Sequence, residues 1–316
     1  MSAHASYEVN TKFLKWLNDK YGQHGAVTST HGKIHDYLGM TLNFSERGKL
    51  IVDMTSYVKD MVEEFPLPLK GTVPSPAGPD LFEESKGPLL DKKLQEVVHT
   101  FAAKLLFLCQ RGRPDVHPAT AILCTRVKAP TESDLKKLVR VMTYLKQTQD
   151  DVLTLSADGC NIIKTYVDAS FAVHPDFRSH TGMVMTLGTG AIMTMSRKQK
   201  LNTRSSTEAE LVATDDCATP ILWTKQFLEA QDVDIKRNVL IQDNKSTILL
   251  LENGKKSSSQ RTRAINIRYF FLTDQIAKKN VEVEYCPTLK MYADFMSKPQ
   301  QGKLFKDHCD YLMGRV

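Results

Sequence analysis

The order of predicted elements after residue 149 constrains the fold more than any other feature of the sequence. Strand patterns cover residues 162–173, 183–187 and 192–196, and a helical pattern follows at 205–216. Shorter patterns then alternate as strand, helix, strand and helix, at 240–241, 245–252, 281–285 and 291–296. Three adjacent strands followed by alternating helices and strands predict an α/β fold, with a mixed five-stranded sheet and flanking helices.

The first 150 residues show a different pattern, typical of a smaller α+β segment. A helical repeat at 6–21 is followed by two β-rich runs around the turn at 45–48, and then by a proline-rich connection at 66–79. Residues 92–149 are mostly helical in pattern. With 316 residues there is room for two domains, and we place them at 1–150 and 160–310.

The composition is that of a soluble globular protein, with 41% hydrophobic and 25% charged residues. No apolar run is long enough to span a membrane and no signal pattern opens the sequence, so we expect an intracellular protein, cytoplasmic or nuclear and not secreted. The six cysteines form no CxxC pair, which favours buried free thiols over a zinc site or disulfides.

The net charge of +6 permits binding to a polyanion, and two basic runs without an acidic residue are the candidates for it. Such runs also fit ordinary solvated surface. The candidate contacts are Arg197, Lys198, Lys200 and Arg204 in the first run, and Lys255, Lys256, Arg261, Arg263 and Arg268 in the second.

Four acidic residues lie where they can converge: Asp168 inside the first strand, Glu208 in the first turns of the helix after it, Asp243 directly after the next strand, and Asp294 near the start of the last helix. Because clustered like charges are costly unless cations neutralise them, convergence implies hard divalent metal ions. Oxygen-only ligands favour Mg²⁺ or Mn²⁺ over zinc. Two such ions about 4 Å apart can activate water and stabilise the leaving oxygen in a displacement at phosphorus.

Each acid also has a structural interpretation. Asp168 fits a strand-end surface residue, Glu208 a capping box with Ser205, Asp243 a helix cap, and Asp294 the positive end of a helix. The Tyr166–Ala169 stretch, YVDA, also raises the question of a polymerase turn that has lost its second aspartate.

The ordered motifs YVDAS, RSHTG, SRKQK, SSTEAEL, DNKS, INIRYFF, YCPT and ADFMSKP resemble the ribonuclease H domain that ends copia-type retrotransposon polyproteins. The resemblance implies a ribonuclease H-like fold that hydrolyses the RNA strand of RNA/DNA hybrids during reverse transcription. It assigns Asp168, Glu208, Asp243 and Asp294 to two bound Mg²⁺ or Mn²⁺ ions, with 3′-hydroxyl and 5′-phosphate products. It also answers the question of Asp168 in favour of a nuclease strand.

The implied partner is an RNA/DNA hybrid, with neither a membrane nor a small-molecule cofactor. Such a hybrid can be recognised through 2′-hydroxyl contacts in its wide minor groove. The candidate contacts beside the acids are Ser205, Ser206, Thr207, Asn244 and Ser246.

The motifs DYLGMTL, GRPDV and VMTYLKQT resemble the end of the copia-type reverse transcriptase. The family places its polymerase aspartates upstream of this region, and Asp215–Asp216 lacks the setting to replace them. We therefore expect residues 1–150 to be a partial reverse transcriptase without DNA synthesis activity, which the remainder of a polymerase or polyprotein could complement.

Two alternatives remain beside the nuclease. A transposase or integrase would carry its glutamate last, whereas residue 278, which is 35 positions after Asp243, is Lys278. A catalytically weak or inactive nucleic-acid-binding remnant is the other alternative, and Ala264 favours it because the family usually has a histidine at that position.

Overall fold

The computed structural model describes residues 7–27, 29–157, 159, 161–254 and 271–315. Its helices are α1 (Tyr7–Tyr21), α2 (Thr55–Glu63), α3 (Lys92–Cys109), α4 (His117–Arg126), α5 (Glu132–Gln147), α6 (Ser206–Glu229), α7 (Lys245–Asn253), α8 (Phe271–Ala277), α9 (Asp294–Ser297) and α10 (Gly302–Met313). Its strands are β1 (Ile34–Tyr37), β2 (Met40–Asn43), β3 (Lys49–Asp53), β4 (Leu153–Ala157), β5 (Ile162–Ser170), β6 (His180–Thr186), β7 (Gly188–Thr189), β8 (Met193–Lys198), β9 (Arg237–Gln242) and β10 (Glu282–Tyr285).

The predicted mixed sheet is confirmed, with its five strands in the order β10-β9-β5-β6-β8. Strands β5, β6 and β8 are antiparallel neighbours, as short connections allow. Strands β5, β9 and β10 run parallel, and α6 makes the crossover from β8 to β9 that a parallel pair requires. This is the strand arrangement of the predicted ribonuclease H-like fold.

Helices cover both faces of this sheet because apolar side chains alternate along β5. Val167 and Ala169 pack into a core that includes Ala213 and Ile221 of α6. Tyr166, on the opposite face, joins a second core. Residues on the face of Tyr166 therefore lie under α9, and residues on the other face lie under α6.

A second sheet, in the order β1-β2-β3-β4-β7, connects the first 150 residues to the later part of the chain. The predicted hairpin is its centre, with β2 and β3 antiparallel. β3 then pairs with β4, so that Leu50 lies opposite Leu155. Gly190, with a positive φ of 75°, approaches the carbonyl oxygen of Thr154 so closely that a Cβ atom would lie 2.3 Å from it.

The helical segment predicted for residues 92–149 is confirmed as α3, α4 and α5, whose buried side chains belong to the second core. That core crosses the predicted boundary near residue 150, since Leu105 and Leu145 share it with Val184 and Met296 of the nuclease-like part. The first part is therefore packed against the second through apolar side chains rather than only tethered to it.

The sequence patterns missed one helix near the end of the described chain. The expected last helix, at 291–296, is the short α9, and the twelve-residue α10 follows it. Leu312 of α10 accepts a hydrogen bond from the backbone of Ala191, and Met313 belongs to the second core. Helix α1 has the predicted bounds, but none of its residues is buried.

The cysteines that the structure describes are free thiols, as the sequence predicted. Cys109, Cys217, Cys286 and Cys309 are buried free thiols and Cys124 is partly buried, while Cys160 lies outside the described residues. Within the described ranges, no helix has both the length and the apolar character needed to cross a bilayer.

Candidate metal centre

Asp168 lies near the end of the central strand β5 and is almost completely buried, with 2% of its surface exposed. By the alternation of side chains along a strand it shares the face of Tyr166, toward α9. A carboxylate at this depth requires partners, because the low-dielectric interior penalises an isolated charge. Asp168 is therefore a centre around which other groups must be arranged.

Asp243 reaches the same level of the sheet through the parallel register of β5 and β9. Tyr166 pairs with Ile241, and Asp168 and Asp243 each lie two residues further along. Asp243 follows the end of β9 directly, and its Oδ2 accepts a hydrogen bond of 2.8 Å from the Thr288 hydroxyl. The helix cap predicted for Asp243 is instead provided by Asn244, whose Oδ1 accepts from the backbone of Thr247.

Glu210 in the second turn of α6 is the third carboxylate at this point. Oxygen atoms of Asp168, Glu210 and Asp243 all lie within 4.8 Å of one another. Glu210 is buried, and its carboxylate accepts hydrogen bonds from the Gln242 amide, at 3.2 Å, and from the backbone of Ala169. These contacts turn Glu210 toward the ends of β5 and β9.

The structure does not bring Glu208, the glutamate predicted for the cluster, into the group formed by Asp168, Glu210 and Asp243. The Glu208 side chain accepts a hydrogen bond of 2.7 Å from the backbone of Arg204, and Ser205 accepts one from the backbone of Glu208. Half of the predicted capping box is therefore present: Ser205 caps the backbone of Glu208, whereas the Glu208 carboxylate binds Arg204 and not Ser205. Glu210, two residues further on, is rotated by roughly 200° around the helix and faces the interior.

The helical period contained the signal that separates the two glutamates. Ala213, Cys217 and Ile221 form a fully buried stripe on α6, and Glu210 lies one turn before Ala213 on the same side. An acid on the buried stripe of a helix is a stronger candidate for function than an acid in the capping position. The prediction chose the first glutamate of SSTEAEL, whereas the structure turns the second toward Asp168 and Asp243.

Asp294 begins α9 and approaches the cluster from the other face of the sheet, with 5% of its surface exposed. The approach depends on Gly182, which lies directly opposite Asp168 on β6. A Cβ atom on Gly182 would lie 2.5 Å from the carbonyl oxygen of Ala293 and 2.8 Å from the nitrogen of Ser297. The absence of a side chain at residue 182 is therefore what lets α9 bring Asp294 close to Asp168.

Two further polar residues of the same segment contact the carboxylates. The Ser297 hydroxyl donates a hydrogen bond to Oδ2 of Asp168. The Lys298 ammonium lies 2.5 Å from Oδ1 of Asp294 and 3.2 Å from Oδ2 of Asp168. Sequence reasoning named neither residue, although both belong to the ADFMSKP motif.

The electrostatics of the site reflect its excess of negative charge. Burial, together with the neighbouring Asp168 carboxylate, raises the pKa of Glu210 well above its ordinary value. Burial and Asp168 also raise the pKa of Asp294, to about 7, although Lys298 acts in the opposite direction. Carboxylates that resist ionisation in this way are typical of a site that binds a cation.

The donor set fits a hard divalent ion. Asp168, Glu210, Asp243 and Asp294 offer oxygen atoms alone, which suit Mg²⁺ or Mn²⁺. The three carboxylates that meet within 4.8 Å are close enough to share one ion, and Asp294 lies on the far side of Asp168.

The predicted nucleic-acid contacts of the first basic run lie on β8 and in the loop that precedes α6. Arg197 and Lys198 are paired with Asp216 and Asp176, at 3.0 and 2.6 Å, and Lys200 and Arg204 are exposed. Ser206 and Ser246 are exposed and Thr207 is partly buried at the helix starts, while Ser205 and Asn244 act as N-caps. Lys255, Lys256, Arg261, Arg263, Ala264 and Arg268 lie outside the described residues.

The chain is similar to Pol polyproteins of copia-type transposons. It is 28% identical over 211 residues to the retrovirus-related Pol polyprotein from transposon TNT 1-94 of Nicotiana tabacum, a match that covers 66% of the chain and 16% of that protein. It is 27% identical over 286 residues to the corresponding protein from transposon RE1 of Arabidopsis thaliana, covering 88% of the chain and 19% of that protein. No protein-family model matches the chain.

These relatives confirm the predicted resemblance to copia-type retrotransposon polyproteins. The chain spans less than a fifth of the length of these two relatives. Among solved structures, LC11-RNase H1 isolated from compost matches with a TM-score of 0.31 and 16% identity, covering 43% of the chain and 92% of that protein.

Proposed function

We propose that the chain is a metal-dependent nuclease that hydrolyses the RNA strand of RNA/DNA hybrids during reverse transcription of a retrotransposon. The observation that carries the proposal is the meeting of Asp168, Glu210 and Asp243 within 4.8 Å in a sheet of the predicted topology. The similarity to Pol polyproteins supports it, because the sequence motifs resemble the ribonuclease H domain of such a polyprotein. The raised pKa values of Glu210 and Asp294 follow from the same clustering and agree with a cation site.

Each carboxylate has a distinct place in the proposed reaction. Asp168 lies at the centre and would contact both cations, Glu210 and Asp243 would hold one, and Asp294 would help to hold the other. Divalent ions bound here would activate water and stabilise charge on the phosphate. The expected products carry a 3′-hydroxyl on one fragment and a 5′-phosphate on the other.

The residues beside the carboxylates suggest how the substrate would be held. Ser206 and Ser246 are exposed at the starts of α6 and α7, the two helices that follow β8 and β9. They can contact 2′-hydroxyls without reading base sequence. Lys200 and Arg204 would contact phosphates, so affinity for the hybrid should fall steeply with salt.

The test is cleavage of an end-labelled RNA/DNA hybrid with Mg²⁺ or Mn²⁺, beside double-stranded DNA and double-stranded RNA. We expect cleavage of the RNA strand of the hybrid alone. Asp168→Asn should lower the rate by more than about 100-fold, since even the loss of a group that supports a metal ligand costs 10–100-fold.

Two neighbouring glutamates of α6 provide a matched pair of variants. Glu210→Gln should lower cleavage as Asp168→Asn does, because it removes a carboxylate from the cluster. Glu208→Gln should retain cleavage within a few-fold and lower stability by about 1 kcal/mol or less, since it alters only a helix cap. The reverse result would assign the site to Glu208.

Two outcomes would overturn the proposed activity. Equal cleavage by the wild-type protein and Asp168→Asn would show that the cluster is not the site. Binding of the hybrid in low salt without any cleavage would instead identify a catalytically inactive nucleic-acid-binding protein.

A further inference from the structure

A lysine side chain occupies one of the two positions in the cluster where a cation can sit. The first position lies among Asp168, Glu210 and Asp243, whose oxygens meet within 4.8 Å. The second lies between Asp168 and Asp294, and the Lys298 ammonium fills it, at 3.2 and 2.5 Å from their oxygens. Asp168 is common to both positions.

The local sequence explains why Lys298 points into the cluster. Lys298 directly follows α9, four residues after Asp294, the spacing that brings two side chains together on one helical face. Pro299 follows, and a residue before proline is restricted to extended backbone, which Lys298 adopts with φ −135° and ψ 142°. The side chain of Lys298 thus reaches back over α9, while Pro299 restricts its backbone to the extended conformation.

The surroundings of Lys298 allow its ammonium group to move out of the cluster. Its side chain is 42% exposed, whereas the side chains of Asp168 and Asp294 are 2% and 7% exposed. A long, flexible side chain on the solvent side can move outward, while the acids that it contacts stay fixed in the core. Ser297 also holds Asp168 by a hydrogen bond that does not involve Lys298.

We propose that Lys298 is a positioning residue that stands in for the second divalent ion, and that the second ion binds between Asp168 and Asp294 only when Lys298 moves away. This inference rests on the proposed metal-dependent function and deepens it. It predicts that the two ions bind with unequal affinity, the first among Asp168, Glu210 and Asp243 and the second in competition with Lys298. Before the second ion arrives, Lys298 keeps Asp168 and Asp294 together.

The experiment is a titration of the whole chain with Mn²⁺, in which electron paramagnetic resonance counts the ions bound, without substrate. The wild-type protein should bind one ion more tightly than the second. In Lys298→Met the dissociation constant for the second ion should fall by at least about tenfold, because the lysine charge lies a few ångströms from a divalent ion and charges this close repel appreciably even in bulk water. The first constant should change less, because Glu210 and Asp243 do not contact the lysine.

Three further variants separate charge from structure. Lys298→Arg retains the positive charge and should keep the affinity for the second ion low. Lys298→Gln repeats the removal of charge with a polar side chain, in case methionine disturbs folding. Lys278→Met makes the same change in net charge at an exposed lysine paired with Asp274, and should leave both constants as in the wild-type protein.

The outcomes distinguish this inference from the proposed function. An unchanged second constant in Lys298→Met and Lys298→Gln would overturn the competition while leaving the nuclease in place. The expected tenfold change in a protein that cuts no hybrid would support the competition and overturn the nuclease. A wild-type protein that binds no divalent ion would overturn both.

Discussion

Two clusters of buried charge in this protein have opposite compositions. The guanidinium cluster, formed by Arg113, Asp115, Tyr144 and Thr148, pairs its charges within the cluster: Arg113 donates two hydrogen bonds to Asp115, at 2.9 and 2.8 Å, and two to Thr148. The carboxylate cluster, formed by Asp168, Glu210, Asp243 and Asp294, has four acids and, among the residues that the structure describes, one contacting ammonium, that of Lys298.

The pKa values follow this difference. Burial acts to raise the pKa of Asp115, but Arg113 and the Tyr144 hydroxyl outweigh it and hold the pKa below its ordinary value. In the carboxylate cluster burial and like charge act together, so the pKa values of Glu210 and Asp294 are raised. The balanced cluster fits a structural role, and the unbalanced cluster is the one for which we propose a bound cation.

The largest effect is expected from unbalancing the guanidinium cluster. Arg113→Met leaves Asp115 buried without its cation, so the free energy of unfolding should fall by about 3–5 kcal/mol. Urea unfolding would measure this loss. The double variant with Asp115→Leu should recover much of it, because no unpaired charge then remains in the core.

An exposed pair serves as control for Arg113→Met. Lys59 pairs with Asp150 at 2.8 Å, and their side chains are 47% and 75% exposed. Lys59→Met should leave the free energy of unfolding nearly unchanged, because exposed ion pairs contribute little. If Arg113→Met were no more costly than Lys59→Met, the guanidinium cluster would not have the structural role that its burial indicates.

The next largest effect is expected from balancing the carboxylate cluster with a divalent ion. Mg²⁺ at about 100 times its dissociation constant should raise the free energy of unfolding by about 2.7 kcal/mol, because only the folded chain brings the acids together. Thermal unfolding with Mg²⁺, compared with sodium chloride at equal ionic strength, measures the gain. Asp168→Asn should lose most of it, and an equal gain in that variant would contradict a specific site.

The sequence predicted the elements that carry three of the four acids of the carboxylate cluster, because those elements depend on local pattern. Asp168 was expected inside a strand, Asp243 directly after a strand and Asp294 near the start of a helix, because strand alternation and turn residues are local signals. Glu210 was missed because two glutamates lie two residues apart, and the choice between them needs the rotation of α6 against the sheet.

Contacts between distant segments account for the rest. Pairing of β3 with β4 joins residues about a hundred positions apart, and neither strand shows its partner in its own pattern. Packing of Gly182 against α9 likewise results from the approach of two elements, so the glycine in RSHTG had no interpretation until both were placed. The division at residue 150 remains a prediction, although a sheet and an apolar core cross it.

A rise in pH, in the presence of EDTA, should change the contributions of the two clusters to the free energy of unfolding in opposite directions. The pKa of Asp294 is raised from 3.8 to about 7, so its stabilising contribution is complete below pH 4 and is lost as the pH rises through 7. The change should be on the order of 2 kcal/mol, given about 1.4 kcal/mol for each pKa unit and sharing of the proton with its neighbours.

Urea unfolding of the wild-type protein and Asp294→Asn between pH 4 and 8 isolates this contribution. The free energy of unfolding of Asp294→Asn should increase relative to that of the wild-type protein as the pH rises. The contribution of Asp115, whose pKa is lowered, is present above pH 4 and falls only in stronger acid. A constant difference across the range would show that Asp294 does not titrate there.

The smallest effect is expected at the edge of the guanidinium cluster, where the side chains are partly exposed to solvent. Arg315 pairs with Asp151 at 2.6 Å and with Asp310 at 3.4 Å, and the three side chains are about one-third exposed. Arg315→Gln should lower the free energy of unfolding by about 0.5–1 kcal/mol, because exposed ion pairs contribute little. In 1 M salt, where the screening length is about 3 Å, this loss should nearly vanish, while the loss from Arg113→Met should persist. If both losses shrank alike, burial would not be what separates the centre of the cluster from its edge.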